Sequence, residues 1–230
     1  GLRHLTGEPG RVPVRCGVSI GDTLAALHGV IGVLLALRHR EVNGGQGQVV
    51  DVALYESVFN VMESLLPEYD AFGAVRGAAG SALPGIAPSN AYRCGDGAYV
   101  LIGGNGDGIF KRLMRAIARP ELAEDPGLAR NDGRVARVAE IDAAIEAWTL
   151  QRTIAEVLAA LDAAAVPAGR IYSVADIAAD PQYQARDMIV QTHDADGRPL
   201  KVPGIVPKLS DTPGRLRTPA PRLGEHTASV

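Results

Sequence analysis

The sequence predicts an α/β protein, and three observations carry that reading. A long apolar stretch is followed by a short β-branched run and then by a second segment of helical periodicity. Further on, a hairpin signal leads into three more helical segments. Between the two lies a glycine- and alanine-rich stretch with no periodicity at all. With 230 residues, 47% of them hydrophobic and 21% charged, the chain has material for a sizeable core.

Gly7, Pro9, Gly10, Pro13 and Gly17 punctuate the opening, which reads as an irregular lead-in from Gly1 to Gly17. Ser19 is placed to cap a helix running to about His39, apolar on nearly every face and closed by Arg38-His39-Arg40, which suits the negative end of the helix dipole. Its most apolar part, Leu24 to Leu37, is about 14 residues long and interrupted by His28, Gly29 and Gly32. That falls short of the roughly 20 residues needed to span a bilayer and predicts a buried core helix. After the loop Asn43-Gly44-Gly45-Gln46-Gly47, Val49, Val50 and Val52 read as a strand, and Tyr55 to Leu66 as a helix with Val58, Met62 and Leu65 on one side. Gly73 to Ser89 reads as a domain linker. Beyond it come strand Asn90–Arg93, turn Gly95-Asp96-Gly97, strand Tyr99–Ile102 and a helix from about Ile109 to Ala118. Helices at Val138–Thr149 and Thr153–Ala165 follow, the second opened by a capping box of Thr153 and Glu156. From Asp187 on, six prolines exclude regular helix and predict short strands and extended crossings.

Composition narrows the function. With 23 basic and 26 acidic residues, formal net charge −3 and no dense basic run, the chain lacks the electrostatic footprint of a protein held by nucleic-acid phosphates or an anionic membrane. The partner expected is a small molecule or another protein. Cys16 and Cys94 are too few for a disulfide framework and have no clustered partners for zinc, so no metal is expected and a reducing cytoplasm is the simplest location. No secretory signal opens the chain, and the lack of a starting Met reads as part of a longer polypeptide.

Asp22 stands in the first turn of the apolar helix, with Gly17 and Gly21 leaving its approach open. A carboxylate there is held ionised by the helix terminus and free N–H groups, and an ionised carboxylate can attack an activated acyl group. Equally, an acid in a first turn can be no more than a favourable charge. Gly103-Gly104-Asn105-Gly106, between strand and helix, can be read as an anion cradle or as a tight turn; its spacing matches no nucleotide-binding motif. Gly85-Ile86-Ala87-Pro88 suits a mobile flap or a plain hinge. His28 reads as a satisfied core histidine or a general base, and His193 and His226 as exposed. Arg76, Arg93 and Arg112 are possible carboxylate partners by chemistry alone.

Taken together, several segments resemble the family III CoA-transferases, the group of formyl-CoA and carnitine CoA-transferases and the succinyl-CoA-dependent dicarboxylate transferases. They are Gly1-Leu2-Arg3-His4-Leu5-Thr6-Gly7, Gly17-Val18-Ser19-Ile20-Gly21-Asp22 and Gly44-Gly45-Gln46-Gly47-Gln48-Val49-Val50-Asp51-Val52. Tyr92-Arg93-Cys94-Gly95-Asp96-Gly97, Val166-Pro167-Ala168-Gly169, Asp180-Pro181-Gln182 and Leu223-Gly224-Glu225-His226-Thr227 continue the likeness over nearly the whole chain.

The resemblance implies a partial Rossmann-like large domain with a smaller α/β domain inserted, in an interlocked homodimer. It divides the chain into a nucleophile-bearing large-domain part (1–72), a linker and flap (73–88), the small domain (89–186) and a return to the large domain (187–230). Asp22 matches the family's nucleophilic aspartate, Gly85 and Ile86 its glycine flap, and Gly103 to Gly106 a secondary glycine loop. Coenzyme A enters as substrate with no permanently bound cofactor. The partners implied are an acyl-CoA and a carboxylic acid, with a dicarboxylyl-CoA such as succinyl-CoA favoured. Family members carry a further α/β segment before the equivalent of Gly1 that supplies most of the CoA groove, so the 230 residues read as the nucleophile-bearing part of a longer enzyme. An acyl-CoA racemase or isomerase of the same fold, and a non-catalytic interaction domain, are the alternatives.

Overall fold

Within the lead-in a single helical turn forms, α1 (Leu2–Leu5), where the sequence predicts only irregular chain; Thr6 Oγ1 donates to Leu2 O at 2.9 Å and closes it. The structure is a computed structural model that describes residues 1–229. It has two units, Gly1–Gly169 and a second beginning at Arg170.

In the first unit, α2 (Ile20–Val42) starts where Ser19 predicts and runs 23 residues, about 34 Å. Two expectations fail here. The helix is not buried: Leu27, Ile31 and Leu34 are each more than half exposed, and no residue of α2 is buried. Against the expectation from the shorter Leu24–Leu37 stretch, it is also long and apolar enough to meet the length and composition of a membrane span, as core helices of soluble proteins also are. The cause of the exposure is that little covers it. α3 (Leu54–Asn60) packs on one side, where His28 Nε2 lies 3.3 Å from Asn60 Oδ1, and Val50 sits over Gly32, where an added Cβ would fall 2.6 Å from Val50 Cγ1.

Val49 to Val52 form no strand. No neighbouring strand among the described residues offers them a ladder, and without one β-branched propensity alone makes no sheet. The helix expected over Tyr55–Leu66 is broken. α3 ends at Asn60, Glu63 turns the chain at φ 54°, and α4 (Leu65–Phe72) restarts with Pro67 in its first turn. A proline there has no N–H to give and would clash with the preceding turn of a continuous helix, so a new helix begins just before it.

The core of the unit lies beyond residue 86. β1 (Ser89–Arg93) and β2 (Tyr99–Gly103) pair antiparallel with Tyr92 opposite Val100, and β3 (Ala168–Arg170) adds a third strand on the far side of β2. Their hairpin turns at Gly95-Asp96-Gly97 as predicted, with Gly97 at φ +84°. Period-two alternation sends Val100 and Ile102 inward and leaves Tyr99 and Leu101 on the open face. On the inner side follow α5 (Asp107–Ala116), α6 (Pro120–Glu124), a 3₁₀ turn (Pro126–Leu128), α7 (Asn131–Ala136), α8 (Val138–Thr149) and α9 (Ile154–Ala163), with α8 packed on β1, α9 on β2, and α5, α6, the 3₁₀ turn and α7 packed on neighbouring helical elements. Phe110, Leu113, Met114, Leu128, Ile141, Ile145, Val157 and Leu161 fill the space between. α8 has the predicted bounds, and the capping box of α9 is present: Glu156 N donates to Thr153 Oγ1 at 3.3 Å and Thr153 N to Glu156 Oε2 at 2.8 Å. The short α6 and α7 were not foreseen; they bury too few apolar residues to show a period.

The second unit opens with α10 (Val174–Ala179) and α11 (Pro181–Ala185), both beyond the sequence reading. Each has its own cap. Ser173 and Asp176 form a capping box, and Asp180 Oδ1 accepts from the N–H groups of Gln182 and Tyr183 at 2.7 and 3.1 Å. β4 (Ile189–His193) and β5 (Pro199–Pro203) pair antiparallel, the short strands the proline count predicts. In a two-stranded sheet both strands are edges, which is why β5 can begin and end on proline.

Candidate active site

Asp22 is the third residue of α2. Ser19 occupies the N-cap position without a side-chain bond, Thr23 Oγ1 donates to Ser19 O at 3.1 Å, and Gly17 and Gly21 carry no side chain to screen the carboxylate. The carboxylate is exposed at the positive end of a long helix and makes no hydrogen bond or ion pair with any described residue. It opens into a cleft of about 720 Å³ between the lead-in, the start of α2 and α3. That is within the range of about 300–1,000 Å³ usual for small-ligand sites. Val18, Val58, Phe59 and Met62 give it apolar walls, while Arg3 and Arg15 line it from the lead-in. A cavity of similar size, about 750 Å³, lies in the second unit; of the candidate side chains named from the sequence, His193 alone lines it.

The two glycine segments come together, and neither is among the residues that line this cleft. Gly85 sits at φ +77°, Asn131 Nδ2 donates to Gly85 O at 2.9 Å, and Ala87 N donates to Asn131 Oδ1 at 3.2 Å. Gly104 N donates to Pro88 O at 2.9 Å and Gly103 N to Pro167 O at 3.0 Å, so two N–H groups of the glycine loop are used within the fold. A Cβ added at Gly104 would lie 2.5 Å from Leu113 Cδ2 and 3.0 Å from Pro88 Cγ, so it would displace the buried Leu113 side chain.

Joining the two segments is a residue that sequence reading passed over. Arg134 is fully buried and donates to Ala87 O (3.0 Å), Leu128 O (3.1 Å), Asn105 O (2.7 Å) and Asp107 Oδ1 (2.9 Å), with its guanidinium over the Phe110 ring at 5.1 Å. The Arg134 and Arg130 guanidiniums hold the Asp107 carboxyl below its ordinary range. In an arginine-rich segment nothing local separates Arg134 from its solvated neighbours; only the acid at the start of α5 hints at a partner. Midway along the linker Gly80 N donates to Gly7 O at 2.9 Å, fastening it to the lead-in that also walls the Asp22 cleft.

Of the other candidates, His28 is satisfied, with Nδ1 2.8 Å from Leu24 O, but it is half-buried on α2 rather than in a core, and it does not line the cleft. Arg76 is bound to Glu68 and Ser64, and Arg112 to the carbonyls of Ala164 and Ala165; both serve the fold. Arg93 is exposed at the end of β1, and His193 and His226 are exposed as expected. Cys16 and Cys94 are free, with burial pushing the Cys94 thiol up. Among the described residues no three potential metal ligands cluster.

A mixed α/β chain with an uncommitted carboxylate at a helix start inside a ligand-sized cleft fits proteins that handle activated acids covalently. The chain belongs to CoA-transferase family III, whose model matches residues 1–227. It is 45% identical over 230 residues to the succinyl-CoA–D-citramalate CoA-transferase of Chloroflexus aurantiacus, and 40% identical over 233 residues to the succinyl-CoA–L-malate CoA-transferase beta subunit of the same organism. Each match takes in 100% of this chain and 57% of the relative, so the chain spans a little over half the length of these proteins. In structure it matches a CAIB/BAIF family protein from Brucella suis with TM-score 0.82 and 37% identity, over 100% of this chain and 59% of that one. The α/β class is thus that of the family III fold.

Proposed function

We propose that this chain is the nucleophile-bearing part of an enzyme that moves CoA between a dicarboxylyl-CoA, succinyl-CoA foremost, and a free carboxylic acid. The observation that carries the reading is the unpaired Asp22 carboxylate in its cleft, in a chain whose relatives are named for succinyl-CoA and the dicarboxylic acids citramalate and malate. An Asp22 oxygen attacks the thioester carbonyl, the C–S bond breaks, and CoA leaves as thiolate with a mixed anhydride on Asp22. The thiolate attacks the aspartyl carbonyl and expels the donor acid as its carboxylate, leaving an aspartyl-CoA thioester. The acceptor carboxylate then attacks that thioester, and the returning thiolate takes the acceptor's acyl carbon, freeing Asp22. No proton is gained or lost overall, and each exchange joins species of similar energy, which is the advantage of the covalent route.

Gly85 and Ile86 act in this reading as the flap that keeps water from the anhydride, hinged between Gly80 and the Asn131 and Arg134 anchor. Gly103 to Gly106 support that flap from below. The CoA groove is supplied largely by protein outside these 230 residues, coenzyme A is a substrate rather than a resident cofactor, and the assembly is a homodimer of the cytoplasm.

Intact-protein mass spectrometry after incubation with succinyl-CoA and hydroxylamine tests the reading, because hydroxylamine converts an activated aspartyl carbonyl to a hydroxamate. The adduct is expected at Asp22 and absent from Asp22→Asn. If neither this chain nor a longer protein containing it yields the adduct, the covalent reading fails. If only the longer protein does, the groove lies outside these residues.

A further inference from the structure

Arg3 and Arg15 are the basic side chains lining the Asp22 cleft, and neither makes a hydrogen bond or ion pair with any described residue. Asp22 shares the cleft and is unpaired too, so the three charged groups stand without neutralising one another. Several other arginines of the first unit are committed, Arg76 to Glu68, Arg115 to Glu124, Arg130 and Arg134 to Asp107, Arg137 to Asp125 and Glu140, while Arg11, Arg38, Arg40 and Arg93 are exposed and unpaired among the described residues but lie outside the cleft. What sets Arg3 and Arg15 apart is their place: two unpaired guanidiniums line the same cleft as the unpaired Asp22 carboxylate.

We propose that Arg3 and Arg15 form the subsite for the distal carboxylate of a dicarboxylic substrate, while the reacting carboxyl or thioester lies against Asp22. The inference rests on the reading of Asp22 as nucleophile and adds which groups select the acid. A guanidinium meets a carboxylate with parallel, charge-assisted N–H donors, a geometry that a monocarboxylate of equal length cannot exploit once its only carboxyl faces Asp22. The second negative charge also offsets the repulsion between the Asp22 carboxylate and an approaching acid, since it brings the substrate in toward the two cations. Selection comes from an added attraction for the diacid rather than exclusion of the monoacid.

The test is isothermal titration calorimetry of the 230-residue chain with succinate and, separately, butyrate, which has the same four-carbon length. The proteins compared are the wild type, Arg3→Gln, Arg15→Gln, Arg3→Lys and the control Arg11→Gln, a lead-in arginine outside the cleft. Emission of Trp148, packed in the core, checks the fold of each variant. Succinate should bind the wild type at least tenfold more tightly than butyrate. Each glutamine variant should lose about tenfold for succinate and little for butyrate, Arg3→Lys should keep part of the difference, and Arg11→Gln should behave as wild type. Equal affinity for the two acids in the wild type, or the same loss in Arg11→Gln, overturns the proposal. Calorimetry does not depend on Asp22 chemistry. Arginine-dependent succinate binding without a hydroxamate adduct would keep the subsite and discard the nucleophile. Adduct formation equal from succinyl-CoA and butyryl-CoA, and unchanged in the glutamine variants, would do the reverse.

Discussion

Arg134 concentrates in one side chain what holds the linker end to the core. Its four acceptors include the buried carbonyls of Ala87 and Leu128, which find no water if the guanidinium is removed. Arg134→Met should therefore cost about 2–4 kcal/mol, read from the urea midpoint of Trp148 emission. A loss under about 0.5 kcal/mol, the scale of an ordinary surface change, would show that the node is unimportant. Asp107 makes the same node pH-sensitive. Its carboxyl is held below the ordinary 3.8 by Arg134 first and Arg130 second, so the folded state binds its proton less readily than the unfolded chain. The stability this adds is complete above the ordinary value and lost as pH falls through the depressed one. Asp107→Asn should flatten part of the acid limb of the stability curve while Asp125 and Glu140, held low by Arg137, keep their share. An unchanged acid limb in the variant would remove Asp107 from the account. Asp22 was legible as a candidate because its whole signature is local, whereas Arg134 was not, because its acceptors lie up to 47 residues away.

At the scale of elements, sequence reading succeeded where the signal is carried by near neighbours. The Thr153 and Glu156 pair, the Gly95-Asp96-Gly97 turn and the bounds of α8 all depend on residues a few positions apart. Thr153→Ala should cost about 1 kcal/mol, since Glu156 N loses its acceptor, and calorimetric melting would show it. Unchanged melting would mean that water caps α9 equally well. The failures have the opposite cause. Val49 to Val52 have strand propensity but no partner, and α3 and α4 are separated by the demand of Pro67, which acts on the turn before it.

Across the whole molecule the contrast is between a packed region of β1–β2 with α5 to α9 and an α2 whose apolar faces are bare. Leu27, Ile31, Leu34 and Leu35 lie between 54% and 65% exposed on one helix, more contiguous apolar surface than a lone monomer ordinarily presents. The 24.0 kDa chain should therefore associate, giving a light-scattering mass above the monomer that rises with concentration. Ile31→Glu with Leu34→Glu should lower that mass without moving Trp148 emission. A monomeric mass for the wild type at high concentration would show that these faces tolerate water.

By itself the sequence determined the α/β class, the start of α2 with Asp22 in its first turn, the hairpin, α8 and the cap of α9, and the likeness to family III. Each is written in residues close together, where propensity, capping and turn chemistry act. Tertiary structure alone decided that α2 is uncovered, that Val49 to Val52 remain unpaired, that Arg76 and Arg112 serve the fold while Arg3 and Arg15 face the cleft, and that the two glycine segments meet at Arg134. Those outcomes depend on burial and on partners distant in the chain, and no local pattern encodes which distant group will be there to receive a hydrogen bond.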